Sequence, residues 1–161
     1  MNLIGQLIDK LSKMGAYLSG FFLIALVSLI ILEIFLRSFF DISTMIADEY
    51  SGYFYLASIF FGLAYTFSTD SHIRINILTS RVSKKANRKI DIIAALITLS
   101  VLLFALYRTV LLTYDSYSFE MVSENVSETP IYLTQLAMPI GLFLFILAVI
   151  LFIFKGFSND S

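Results

Sequence analysis

Four long apolar stretches, at about residues 17–36, 47–67, 90–114 and 132–154, dominate this 161-residue chain. Crossing a hydrocarbon layer of about 30 Å takes roughly 20 apolar residues of helix at about 1.5 Å each. Barrel strands would alternate in polarity and be about half as long. Within lipid every backbone N–H and C=O must find its partner inside the protein, and a continuous apolar run does so only as a helix. Charged residues make up only 14 % of the chain, against about 25 % in a soluble domain, too few for a separate water-facing unit. The expected fold is therefore an all-α integral membrane protein, with residues 1–161 forming one membrane domain of four transmembrane helices.

The first run does not read as a cleaved leader. Its apolar core from Ala16 to Leu32 is longer than the usual 7–15 residues of a signal peptide. Glu33-Ile34-Phe35-Leu36-Arg37 follows it, in place of a small-residue cleavage site. It is expected to be retained as a span.

Charge separates sharply along this pattern. Lys10, Lys13, Arg74, Arg81, Lys84, Lys85, Arg88, Lys89 and Lys155 fall on one side of the expected spans. The other side, counting nearby span ends, has only Arg37 and Arg108 as basic residues, with Asp41, Asp48, Glu49, Asp115, Glu120, Glu124 and Glu128. Basic residues collect on the cytoplasmic side of membranes. Both termini and the basic loop at about 70–89 are thus expected in the cytoplasm, with the acidic loops outside. Two short interfacial segments are also expected. Leu3, Ile4, Leu7, Ile8 and Leu11 recur at helical spacing among polar neighbours, giving an amphipathic helix at about 2–13. Ile77, Leu78 and Val82, followed by the lysine and arginine cluster at 84–89, suggest a second.

Several functions fall away on composition. With no cysteine the chain has no disulfide, thiolate nucleophile or cysteine metal site. The single histidine has no second ligand near it in sequence. Neither a phosphate-binding glycine loop nor a nucleophile elbow is present. No cofactor, no metal and no enzymatic activity are expected. A net charge of −1 gives no footing for nucleic acid.

Charges inside a span are the usual pointers to mechanism, because each costs about 2.5–3.5 kcal/mol or more at the bilayer centre. Glu33 lies inside the first apolar run, four residues before Arg37, a spacing that lets the two pair on one helix face. An interfacial ion pair is the expected role; a proton- or cation-coupling carboxylate is the alternative. Arg108 lies within two turns of the outer end of span three, where its long stem is expected to snorkel to the headgroups. A carboxylate on a neighbouring helix is its alternative partner. Asp48 and Glu49 open span two. There Glu49 could complement the helix dipole and cap free amides, or bond to a neighbouring chain. His72 and Arg74, after span two, are expected to anchor the turn and face lipid phosphates. Ser51, Ser58 and Gly62 share one face of span two, and Ala137, Gly141 and Ala148 one face of span four. Such small-residue faces favour close helix packing in lipid, within this chain or with another. Pro139 is expected to kink span four.

Taken in order, these features resemble the small, Q-type membrane subunit of tripartite ATP-independent periplasmic (TRAP) transporters. Arg37 closes the first span, with Phe39 and Phe40 after it, and Asp48-Glu49 opens a second span carrying Gly62. Ser71-His72-Ile73-Arg74-Ile75-Asn76-Ile77-Leu78 is close to the family's His-Ile-Arg-Val-Asp-x-Leu pattern, with Asn76 where aspartate is common. Met138-Pro139-Ile140-Gly141 is similar to its Pro-Ile/Val-Gly element. The resemblance implies an accessory subunit of a sodium-coupled, binding-protein-dependent organic-acid uptake system. It implies two protein partners, a large M-type membrane subunit whose scaffold this chain braces and a periplasmic substrate-binding protein it helps dock, together with membrane lipid. Arg37, Glu49, Ser58, Gly62, His72, Arg74, Pro139 and Gly141 are the interface or structural candidates. Glu120, Glu124 and Glu128 are the docking candidates. A small homodimeric proton-coupled exporter working through Glu33 is the competing reading.

Overall fold

The computed structural model describes residues 3–69 and 84–158. Among these the chain is helical except for its connections: α1 Leu3–Phe40, α2 Ala47–Ser68, α3 Lys84–Ser118, α4 Ile131–Gln135 and α5 Ala137–Ser158. A single antiparallel bridge, Val122 to Pro130, is the only β pairing among the described residues. Three stretches are long and apolar enough to cross a membrane: Gly5–Phe40, Lys89–Ser118 and Ile131–Phe154. The fourth expected span, α2, is helical over the expected residues but more polar, with Ser51, Gly52, Ser58, Gly62, Thr66 and Ser68 along it.

The amphipathic segment at 2–13 does not form a separate interfacial helix. It continues without interruption into the first span, making one helix of 38 residues, about 57 Å long. No proline interrupts it, and the join is held by packing. Ile8 and Ser12 are buried, Gly5 lies against Leu151 of α5, and Gly15 against the Phe61 carbonyl of α2. The third span is similarly extended: α3 starts at Lys84, so the basic cluster at 84–89 is part of the helix. Ile77, Leu78 and Val82 lie outside the described residues.

The fourth span is interrupted as the proline requires. α4 ends at Gln135, Leu136 forms a turn, and α5 starts at Ala137. Pro139 has no N–H to return to the Gln135 carbonyl. The flanking bonds, Leu136 N–H to Tyr132 O at 3.1 Å and Ile140 N–H to Leu136 O at 3.3 Å, carry the chain across this break.

α2 is the centre of the bundle, packed against α1 on one side and α5 on the other, while α3 packs chiefly on α4 and α5. The core lies at the α2–α3–α5 junction, where Ala64 meets Leu142, Phe145, Ile146, Ala148 and Val149, with Ala95 and Leu102 from α3. In lipid this core gains little from the hydrophobic effect, since the tails are as apolar as the side chains, so close contact and buried hydrogen bonds must hold the helices. Both are present. The Gly141 Cα meets α2 so closely that a Cβ there would overlap the Phe60 carbonyl, and a Cβ on Gly15 would stand 2.7 Å from the Phe61 oxygen. Ser19 Oγ donates to the Ser58 carbonyl at 2.7 Å, and Gly62 leaves room for that same Ser19 side chain.

Candidate functional site

The polar groups of the bundle gather at the end where α1 and α3 finish and α2 and α4 begin. Two buried carboxylates organise it, and each holds one connecting loop.

Glu33, about two turns before the end of α1 at Phe40, is 7 % exposed. Its Oε1 accepts from Arg37 Nε at 2.6 Å and from Ser43 Oγ at 2.6 Å. Its Oε2 accepts from the Thr44 backbone N–H at 3.0 Å and from Thr44 Oγ1. Arg37 also donates to Ser43 Oγ at 3.2 Å. The α1–α2 connection therefore folds back over the last two turns of α1. Asp41 and Met45 take left-handed backbone angles there, with φ of 53° and 59°. Such angles cost about 1–3 kcal/mol each outside glycine, and the four donors on Glu33 are what hold them. The expected i, i+4 ion pair is present, as one arm of a larger knot.

Glu49, in the first turn of α2, reaches across the bundle. Its Oε2 accepts from Ser127 Oγ at 2.7 Å, 78 positions away, and its Oε1 from the Tyr53 hydroxyl at 2.8 Å. Ser127 and Thr129 hydroxyls are 2.8 Å apart, and Thr129 in turn meets the Tyr50 hydroxyl at 3.0 Å. This chain of hydroxyls pins the 119–130 connection to α2. The connection is a short hairpin, closed by Ser123 N–H to Thr129 O at 2.9 Å and Ile131 N–H to Met121 O at 3.0 Å. Glu120, Glu124 and Glu128 are all exposed on it, with Glu120 and Glu128 at positive φ. Glu49 stands with Asp48 in the first turn of α2, where its charge complements the helix dipole, and its hydrogen bonds go to hydroxyls of this chain. The N-cap residue Ile46 makes no side-chain bond, and both Glu49 oxygens are engaged by this chain's own hydroxyls.

The other sequence candidates divide cleanly. Ser58 and Gly62 meet Ser19 of α1, and Gly141 meets Phe60 of α2, so these small residues serve packing inside the chain. Arg37 belongs to the Glu33 knot, and Pro139 lies in the first turn of α5, just after the α4–α5 break. His72 and Arg74 lie outside the described residues. Arg108 is exposed on α3 and makes no ion pair among the described residues. Among those residues no three histidine or carboxylate side chains gather as a metal site would need.

Sequence reasoning misses Ser43, Thr44, Tyr53, Ser127 and Thr129, whose hydroxyls complete both knots. The only signal is local: Ser43-Thr44 beside a turn, and Ser127 and Thr129 flanking Glu128 in a polar loop. No spacing rule joins Ser127 to Glu49.

Residues 26–159 match the family model for the DctQ component of tripartite ATP-independent periplasmic transporters. A putative TRAP transporter small permease protein of Haemophilus influenzae is 23 % identical over 137 residues, covering 85 % of this chain and 83 % of that protein.

Proposed function

From its place in the DctQ component family of tripartite ATP-independent periplasmic transporters, to which this chain belongs, we propose that it braces the large membrane subunit of a sodium-coupled organic-acid importer. In this reading its acidic end faces the periplasm and helps seat the substrate-binding protein. Both termini lie in the cytoplasm, and the protein resides in a bacterial inner membrane with four spans, α2 being the sheltered one.

One observation carries the accessory role. The two buried carboxylates, Glu33 and Glu49, have both oxygens engaged by hydroxyl, amide or guanidinium donors of this chain. A carboxylate saturated in this way fixes a loop; to bind and release an ion during a transport cycle it would have to break that loop each time. The same saturation counts against the exporter reading, which needs Glu33 free. Substrate and ion sites are then expected on the large subunit, and this chain supplies shape.

The exposed acidic hairpin supports the docking role, since charge on a protruding loop raises the encounter rate with a complementary partner. The test is purification of the chain with and without its co-expressed large subunit, followed by reconstitution with the binding protein. Uptake of a labelled organic acid on a sodium gradient should require all three components. Uptake at full rate with this chain left out would overturn the proposal.

A further inference from the structure

Arg108 is a cation that the two knots leave unused. It is the only charged residue between Asp91 and Asp115, and it lies ten positions before the end of α3 at Ser118, about 15 Å along the axis. The inward side of α3 is built from Ala95, Leu99, Leu102, Leu106, Thr113 and Ser116, which are buried or partly buried. Arg108 stands on the opposite side, in line with Ile97, Val101 and Phe104, which are 62 %, 61 % and 67 % exposed. The outward face of α3 is thus a smooth apolar stripe carrying one positive charge that has no ion-pair partner among the described residues.

Lipid alone serves this charge poorly. Side chains on a helix leave the backbone tilted toward its N-terminus. The nearer end of α3 is the C-terminal one, so the Arg108 Cα–Cβ bond aims away from the nearer headgroups and toward the middle of the apolar stretch. Snorkelling would have to reverse that direction. It would also have to pass the turn carrying Leu111, Leu112 and Tyr114, of which Leu112 and Tyr114 are themselves exposed.

We propose that the outward face of α3 is the docking surface for a membrane helix of the large transporter subunit, and that Arg108 pairs there with a carboxylate on that helix. The proposal rests on assembly with the large subunit as put forward above, and it adds the face and the charge that make the contact. An apolar stripe gives the close van der Waals seam that membrane helices use, and a single guanidinium with bidentate reach sets its register. A lone charge at that depth also discriminates, since an apolar helix without an acid leaves it unpaired.

The experiment uses the full chain co-expressed with its large subunit. Wild type, Arg108→Leu, Arg108→Lys and Arg108→Glu are compared for co-purification in mild detergent and for membrane insertion when expressed alone. Arg108→Leu and Arg108→Glu should lower affinity for the large subunit at least tenfold, Arg108→Lys less, while solitary insertion of Arg108→Leu stays at or above the wild-type level. Arg108→Glu should be restored by changing one large-subunit carboxylate to lysine. Because the chain has no cysteine of its own, Val101→Cys offers a clean second readout, and a membrane-permeant maleimide should label it in the solitary chain and not in the complex. Wild-type assembly with an undiminished Arg108→Leu affinity, as a lipid-paired arginine would give, overturns this proposal and leaves the assembly reading standing. So does equal labelling of Val101→Cys in both states. Failure of the wild type itself to co-purify overturns the assembly reading and this one with it.

Discussion

Replacing Gly141 with alanine adds one methyl group where α5 touches α2, and the geometry says it cannot be absorbed locally. The new Cβ would overlap the Phe60 carbonyl and stand 2.8 Å from the Phe60 Cβ. Gly15→Ala meets the same problem from the other side, 2.7 Å from the Phe61 carbonyl oxygen where ordinary contact begins at 3.4 Å. A backbone carbonyl inside a helix has no rotamer to retreat to, so the helices must part by about 0.5–1 Å, which forfeits a quarter to a half of the dispersion energy along the seam. Overpacking of this kind costs about 1–3 kcal/mol. Alanine returns about 0.5–1 kcal/mol through its better helix propensity, so a net loss of about 1–2 kcal/mol is expected for each. The controls are built in: an added methyl on Gly20 or Gly52 would meet nothing within 4 Å, and these alanine variants should be neutral or slightly stabilised. Since α2 is clamped between the two glycines on adjacent carbonyls, relief from one side presses on the other. The double variant should therefore lose more than the sum of the singles. Unfolding by SDS titration in mixed micelles, read by circular dichroism, measures all five variants. Gly15→Ala and Gly141→Ala falling within about 0.5 kcal/mol of the Gly20 and Gly52 controls would refute the packing argument.

Other expectations follow from the two knots and the hairpin. Glu49→Ala leaves the Tyr53 and Ser127 hydroxyls without their acceptor, at a cost of about 1–3 kcal/mol; hydrogen exchange should rise across residues 121–131 while membrane insertion persists, and unchanged protection there would count against the latch. Glu33→Ala should destabilise more than Arg37→Ala, because Glu33 is buried under four donors whereas Arg37 is exposed and an exposed pair is worth about 0–1 kcal/mol; the reverse order in thermal unfolding would contradict the knot. Glu33→Gln should retain uptake in the assembled transporter, and complete loss of uptake in a folded variant would restore a coupling role. Changing Glu120, Glu124 and Glu128 together to glutamine should slow association with the binding protein and flatten its salt dependence. Binding rates indifferent to both the substitution and salt would remove the hairpin from docking.

Much of this arrangement is legible in the chain because in a membrane protein length and apolarity carry the information. The second apolar run coincides with α2 to within a residue, and the break between α4 and α5 falls within one turn of Pro139. The Glu33–Arg37 pair can be read because a spacing of four on a helix is a local rule. The continuity of the N-terminal segment with the first span cannot, because an amphipathic pattern does not say where a helix pauses, and the contacts of Gly5 with Leu151 and of Gly15 with Phe61 arise only in the tertiary fold. The contacts of Glu49 are hidden for a related reason. A carboxylate in a first turn has a ready local explanation in the helix dipole, and its partner Ser127 is joined to it only by the tertiary fold.

The two carboxylates and the lone arginine can be understood together through what burial demands of a charge. Glu33 and Glu49 are tolerated in an apolar bundle because loops of the same chain bring donors to every oxygen, and those loops are in turn fixed by the carboxylates. Arg108 has received no such provision among the described residues, although Asp115 lies only two turns further along the same helix. A fold that satisfies two buried acids with serine, threonine and tyrosine hydroxyls, yet leaves one arginine bare on an apolar face, is complete on one side and unfinished on the other. The unfinished side is where a second membrane chain has physical reason to bind.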